Sequence, residues 1–243
     1  MMAQTEKTTV NETSLYLCAP VNALVEGIYE EQIPLSEIRK HGDFGLGTFD
    51  SLDGEMVMLD GNIYQMSANG RVSLITEDLM TPFVSVTFYH QHSADKLERE
   101  LPYPEFVEWL QSLLPSLNML YALRIEGEIA HVKVRSVPKQ ECYRPLVEVA
   151  KDQPIFNFHD VKGTLAGFYT PTFMSSLNVP GLHLHFLSDD LQHGGHLLEC
   201  TPRRVKIGVQ FISRLELSLP MTLDYLTWNF QRDIAKDLDK AEN

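Results

Sequence analysis

The stretch "GLHLHFLSDDLQHGGHLLEC", Gly181 to Cys200, holds four of the nine histidines of the chain and the pattern of a β-hairpin. Side chains alternate between the two faces of a strand, so His183 and His185 share a face, roughly 6.5 to 7 Å apart along the chain. The polar "SDD" and the "GG" that follow predict a turn into a second, antiparallel strand. His196 begins this second strand, whereas His193 lies in the turn and is expected to be exposed.

Three histidines that converge from a hairpin favour a metal site with an open coordination position. Catalytic zinc sites have this form, whereas structural sites fill four positions with protein ligands and favour cysteine. The spacing has a plainer interpretation, because histidines on one face of a strand also occur as core residues with satisfied nitrogens. His90 and His92 repeat the spacing at a polar strand end without a third histidine nearby, and they are interpreted as solvated.

A bound divalent cation prefers anionic oxygen ligands, so carboxylates near the ends of strands are of interest. Spacing leaves three candidates open, Glu55, Glu199 and Glu242. Arg135 belongs to a segment of alternating residues and is the type of side chain that can hold a small anion, although a single strand arginine is more often solvated.

Outside the histidine stretch, strand patterns outnumber helical ones. Asp-Gly and Asn-Gly pairs between short alternating runs predict an antiparallel meander after Gly47. Tyr121–Val137 is predicted to be a hairpin that turns at Glu126-Gly127. The other predicted strands are 81–90, strands around Lys162-Gly163, and 203–220; the predicted helices lie within 20–31, 35–42, 103–115 and 145–153, and the tail 229–243 is helix-compatible.

These elements predict an α+β fold of mainly antiparallel or mixed β-sheets, in two closely associated sub-domains with a few helices. The composition changes near 143–153. We therefore predict an N-terminal meander sub-domain with helices at residues 1–145 and a C-terminal sub-domain with the three-histidine site at 146–243. One continuous domain is the alternative.

Composition limits the classes of partner. Thirty-three acidic against 20 basic residues give a net charge of −13, which disfavours nucleic acid and anionic lipid but allows a small anion held by a local arginine. No window is apolar enough to span a membrane, and the N-terminus lacks the pattern of a signal peptide, which predicts a cytoplasmic protein. Three scattered cysteines argue against a disulfide framework and against a cysteine-based zinc site.

Several blocks of the sequence resemble one family in the same order. "VPGLHLHFLSDDLQHGGHLLEC" looks like the signature of bacterial α-acetolactate decarboxylases, and "GDFGLGTFDSLDGEMVMLDGNIYQ", "TPFVSVTF", "YALRIEGEIAHVKVRSV" and "GTLAGFYTP" are similar to further blocks of that family. The resemblance extends from about residue 15 to the end. It implies a carboxy-lyase that converts (S)-2-acetolactate into (R)-acetoin and carbon dioxide, with Zn²⁺ as cofactor, and relatives imply a homodimer.

The resemblance also implies roles for particular residues. Zinc would act as Lewis acid and electron sink for an enediolate, Arg135 would hold the carboxylate, and a glutamate would protonate the carbon. The implied residues are His183, His185 and His196 as zinc ligands, Arg135, Glu55 and Glu242 as catalytic residues, and Thr48 in the substrate pocket. Asp237 and Asp239 are alternatives to Glu242 in the weakly similar tail.

Two other functions remain open from the sequence. One is a metal-binding or sensor module without catalysis. The other is a cupin-type metal oxygenase, because "GLHLH" resembles the start of a cupin motif; the usual glutamate after it is replaced by Ser188 or Asp189, and the second cupin block is missing.

Overall fold

The structure is a computed structural model that describes residues 13–30, 33–232, 234 and 236–238. Its strands are β1 Ser14–Leu17, β2 Ile33–Pro34, β3 Phe44–Thr48, β4 Glu55–Leu59, β5 Asn62–Met66, β6 Val72–Leu74, β7 Met80–Thr81, β8 Val84–Thr87, β9 Ser93–Leu97, β10 Leu120–Arg135, β11 Ile155–Thr170, β12 Gly181–Ser188, β13 Gly194–Ile212 and β14 Arg214–Leu217. Its helices are α1 Val21–Val25, α2 Leu35–Ile38, α3 Tyr103–Ser112, α4 Leu146–Val149 and α5 Leu223–Thr227.

The strands form two large sheets and one small one. The order β14-β1-β8-β3-β4-β5-β6 makes a seven-stranded sheet, and β10-β11-β12-β13-β9 makes a five-stranded sheet. A further pairing of β10 with β13 closes four strands of the second sheet into a ring. Only β1 and β14 pair in parallel among the paired strands described. The predicted fold class, a mainly antiparallel α+β protein, is confirmed, and so is the meander, which is β3 to β6.

The predicted hairpin at Tyr121–Val137 is wrong. This segment is one continuous strand, β10, which pairs along its length with β11 on one side and with β13 on the other. Gly127 has a φ of +146° within the strand, and a Cβ there would lie 2.2 Å from the carbonyl oxygen of Arg204. Glycine is therefore needed here because β10 and β13 approach each other closely, and not because the chain turns.

Both large sheets take strands from either side of residue 145. β9 and β10 precede it and β11 to β13 follow it, yet all five form one sheet. Conversely, β14 joins the seven-stranded sheet beside β1. The division into 1–145 and 146–243 stays a prediction, and the shared strands favour the alternative of one continuous domain.

The two large sheets pack face to face, and β12 presents a different set of side chains to each side. Leu184 and Phe186 belong to the apolar cluster within the five-stranded sheet. The alternate positions, His183 and His185, point to the opposite face, where the seven-stranded sheet lies. The ring of His185 contacts the carbonyl oxygen of Met56 on β4 of that sheet. The histidines are therefore placed between the sheets.

No helix in the described part of the chain is long and apolar enough to cross a membrane.

Replacing Gly127 by alanine is expected to destabilise the fold more than the same change at Gly61. Both glycines have positive φ, but a Cβ at Gly61 would meet nothing within 4 Å. Gly61→Ala should cost about 1 kcal/mol for the left-handed backbone, whereas Gly127→Ala should cost about 2 to 4 kcal/mol because overpacking adds about 1 to 3. Urea denaturation of both variants gives the difference, and equal losses would contradict the close-approach explanation.

Candidate metal centre

His183, His185 and His196 converge on one point between the sheets. His185 on β12 pairs directly with His196 on β13, and His183 lies two residues before His185 on the same face. One ring nitrogen of each histidine lies within 4.8 Å of those of the other two. All three side chains are buried. This is the geometry that three imidazole ligands of a single ion require.

Burial keeps His183 and His185 neutral. Loss of hydration, reinforced by the positive charge of Arg135, lowers the pKa of His183 from 6.5 to about 3. The pKa of His185 is held well below 6.5 by burial, then by the nearby His183, against the opposing hydrogen bond to Met56. A neutral imidazole has the free electron pair that a metal ligand needs.

His185 carries a more specific sign of a metal site. Its Nδ1 lies 2.7 Å from the carbonyl oxygen of Met56, and since a carbonyl only accepts, Nδ1 carries the proton. Nε2 is therefore the atom with the free electron pair. Within the described residues this buried atom makes no hydrogen bond, and it lies 3.5 Å from Oε2 of Glu55. A buried acceptor without a donor is costly, and a bound cation satisfies it.

Arg135 lies beside the histidines because of the same strand register. It is the last residue of β10 and pairs with His196 on β13. The side chain is 4% exposed, and its Nη1 donates a hydrogen bond to Oε1 of Gln153 at 2.8 Å. Gln153 therefore helps to hold the guanidinium within the site.

Thr48 and Glu55 approach from the seven-stranded sheet. They pair across β3 and β4, and both are buried. The hydroxyl of Thr48 donates to the carbonyl oxygen of Gly54 at 2.7 Å, which holds the turn directly before Glu55. The carboxylate of Glu55 is thereby fixed at the start of a strand, opposite the histidines.

These groups line one cavity, which has a polar wall and an apolar wall. Its polar residues are Thr48, Glu55, Arg135, His183, His185 and His196, and its apolar residues are Leu24, Leu52, Phe83, Val137 and Leu146, with Gly47 completing the lining. Such a pocket suits a small ligand that places anionic oxygens on one side and carbon on the other.

Seven site residues are predicted from the sequence, and the structure places six of them around one cavity. Glu242 is the exception, because it lies outside the described residues. His193 lies in the turn, where its ring stacks on Phe158 with centroids 4.2 Å apart, and Glu199 is exposed. Asp237 contacts Arg232.

Sequence reasoning did not identify the carbonyl of Met56, the side chain of Gln153 or the apolar wall. No local pattern marks them, because they meet the site through contacts between distant segments.

Three buried histidines beside a buried arginine and a carboxylate, facing a cavity, define a protein with a candidate catalytic metal centre. Residues 15–232 match the family model of alpha-acetolactate decarboxylase. The alpha-acetolactate decarboxylase of Methanosarcina mazei is 37% identical over 229 residues, which cover 94% of this chain and 80% of that protein. The alpha-acetolactate decarboxylase of Bacillus subtilis strain 168 is 36% identical over 232 residues, which cover 95% and 91%.

A solved structure agrees with these sequences. The crystal structure of alpha-acetolactate decarboxylase from Bacillus subtilis strain 168 superposes with a TM-score of 0.92 at 35% identity, and the match covers 95% of this chain and 99% of that one. The chain belongs to the alpha-acetolactate decarboxylase family. The predicted family and the predicted enzyme class, a decarboxylase, are confirmed.

His183→Ala is expected to abolish metal binding, whereas His193→Ala is expected to preserve it. The first change removes one of three converging nitrogens, and the second removes a ring that stacks on Phe158. Metal content after loading with Zn²⁺ and desalting, measured by mass spectrometry, should be close to one ion per chain in His193→Ala. Retention of metal by His183→Ala, or its loss from His193→Ala, would overturn the ligand assignment.

Proposed function

We propose that this protein is a zinc-dependent acetolactate decarboxylase that converts (S)-2-acetolactate into (R)-acetoin and carbon dioxide. The observation that carries the proposal is the buried set of three converging histidines, which faces a cavity shared with Arg135 and Glu55 in a chain of this family. The histidines, Arg135 and a carboxyl group each have a task in this reaction.

The histidines would hold the metal. Three neutral imidazole nitrogens suit Zn²⁺ and leave a position open for substrate oxygens. When bound, Zn²⁺ would supply Lewis-acid chemistry, since it polarises the ketone and hydroxyl oxygens and stabilises the negative charge that the loss of carbon dioxide leaves behind. The hydrogen bond between His185 and Met56 keeps the ring in the required tautomer and orientation.

Arg135 would bind and orient the substrate carboxylate. A guanidinium forms two parallel hydrogen bonds with a carboxylate, which fixes the direction of the bond that breaks. Its contact with Gln153 holds one nitrogen through a neutral amide oxygen, so this partner orients the group without cancelling its charge. Burial strengthens the attraction, because little water screens it.

A carboxyl group would complete the reaction by protonating carbon. The bond to carbon dioxide breaks, its electron pair stays with the substrate, and one proton must arrive at a single face to give one enantiomer. Glu55 is a candidate donor, since its carboxylate lies beside His185. Glu242, which lies outside the described residues, is the second candidate.

The direct test is product formation. Metal-loaded protein incubated without oxygen with racemic acetolactate is expected to release acetoin and carbon dioxide, to lose activity with a chelator and to regain it with Zn²⁺. Oxygen consumption instead would favour the cupin-type oxygenase, and bound metal without turnover would favour the sensor module. Absence of acetoin from metal-replete protein contradicts the proposal.

Arg135→Gln is expected to lower kcat/KM by about 10²- to 10³-fold while metal content stays unchanged. Removing one partner of a buried charged hydrogen bond costs about 2 to 5 kcal/mol, and the neutral side chain leaves the three histidines in place. Arg124→Gln is the matched control, because Arg124 lies on the same strand but pairs with Asp60 and Glu126 away from the cavity. Loss of metal from Arg135→Gln would instead assign the arginine to the stability of the site.

We also propose that the protein is a homodimer. The segment Leu219–Trp228 exposes five large apolar side chains to solvent, with exposed fractions of 37 to 79%: Leu219, Met221, Leu223, Leu226 and Trp228. Contiguous exposed apolar surface marks interaction sites. Because each copy has a net charge of −13, two copies are expected to meet through an apolar face rather than a charged one.

A cytoplasmic location stays a prediction from the sequence.

Introducing a charge into this segment is therefore expected to separate the dimer. Met221→Glu and Leu223→Glu should elute as monomers in size exclusion with light scattering, whereas Leu74→Glu, an equally apolar and 52% exposed position on β6, should remain dimeric. Dimers in all three variants would assign the interface to another surface, and a monomeric wild type would refute the dimer.

A further inference from the structure

We propose that the ion pair between Glu26 and Arg232 is a latch that holds the C-terminal segment against the apolar wall of the active-site cavity. The segment consists of the described residues 231, 232, 234 and 236–238. By holding it in place, the ion pair excludes water from the reaction. The inference rests on the proposed function. It assigns Glu26 and Arg232 as positioning residues, because neither lines the cavity.

The ion pair joins helix α1 to the C-terminal segment. Nε of Arg232 donates to Oε1 of Glu26 at 3.0 Å, across 206 residues of sequence, and the same guanidinium contacts the carboxylate of Asp237 within the segment. Glu26 is only 5% exposed although it carries a carboxylate. A buried carboxylate is stabilised by a nearby cation. If the segment that carries Arg232 moved away, the buried carboxylate of Glu26 would lose this cation, which costs free energy.

The segment also contributes apolar side chains to the same place. Ile234 and Leu238 are buried in one cluster with Leu24, Leu52, Phe83, Val137 and Leu146, which are the five apolar residues of the cavity wall. Glu26 follows Leu24 by two residues at the end of α1. The latch therefore ties the segment to the helix that supplies part of this wall.

Closure of this wall matters for the proposed chemistry. Once the carbon–carbon bond has broken, the carbon accepts a proton from whichever donor reaches it first. Water that enters through a loosened wall can deliver a proton to either face, and it also weakens the attraction of Arg135 for the substrate. A defect in the latch should therefore lower the enantiomeric purity of acetoin as well as the rate.

Arg203 offers a matched control for Arg232. It also bridges two carboxylates, with Nε 2.7 Å from Glu100 and Nη1 2.9 Å from Asp160. Its surroundings differ, because neither Arg203 nor its two partners lines the cavity or belongs to the cluster behind the wall. Arg203→Ala therefore also removes an arginine that bridges two carboxylates, but it does so at the surface and without touching the cavity.

The test compares Arg232→Ala, Arg232→Lys and Arg203→Ala in the metal-loaded full chain. In Arg232→Ala, the amide hydrogens of residues 230–232, 234 and 236–238 are expected to exchange about tenfold faster than in wild type. The variant is also expected to have a lower kcat and a smaller excess of (R)-acetoin, with metal content unchanged. Arg232→Lys should recover part of each loss, since a lysine still reaches one carboxylate. Arg203→Ala should match wild type in all four measurements.

Two results would overturn the latch. One is an Arg232→Ala variant with wild-type exchange and wild-type enantiomeric excess, and the other is an equal loss in Arg203→Ala. A wild type that forms no acetoin would refute the proposed function, and the exchange rates would still decide whether Arg232 holds the segment.

Discussion

The register between β10, β12 and β13 is the constraint on which the site depends. His185 lies opposite His196, and Arg135 lies opposite the same His196 on its other side. Because side chains alternate along a strand, a slip of one residue would turn any of these groups to the far face. The ring of strands and the packing of the sheets hold this register, so the precision of the site comes from the whole core.

Charge within the cavity follows from burial more than from composition. The chain as a whole is acidic, yet the cavity holds a buried arginine beside His183 and His185, whose pKa values burial lowers. The described lining of the cavity thus combines a guanidinium and the carboxylate of Glu55 with an apolar wall.

The sequence predicted the parts of the site that depend on local pattern. Strand alternation predicted that His183 and His185 share a face. The predicted turn brought His196 beside them and left His193 outside the group. The family resemblance nominated Arg135, Glu55 and Thr48, which the structure places beside them. Long-range features escaped this reasoning, since Gln153 and the Glu26–Arg232 pair have no local signature.

Pairing with distant strands accounts for the wrong hairpin and for a departure from regular alternation in β13. Glu126-Gly127 resembles a turn, but the strand continues because both of its edges find partners. Cys200 would share a face with His196 in a regular strand, yet a register shift near Leu197 turns it into the apolar core of the five-stranded sheet. Bulges of this kind depend on the partner strand, so one segment alone does not reveal them.

The central claim is that strand register converges three imidazoles on a single ion. X-ray absorption at the zinc edge of the metal-loaded protein tests it most directly. The account predicts three imidazole ligands with nitrogen about 2.0 to 2.1 Å from zinc and oxygen in the remaining position. Sulfur at about 2.3 Å, or fewer than three imidazoles, would contradict it.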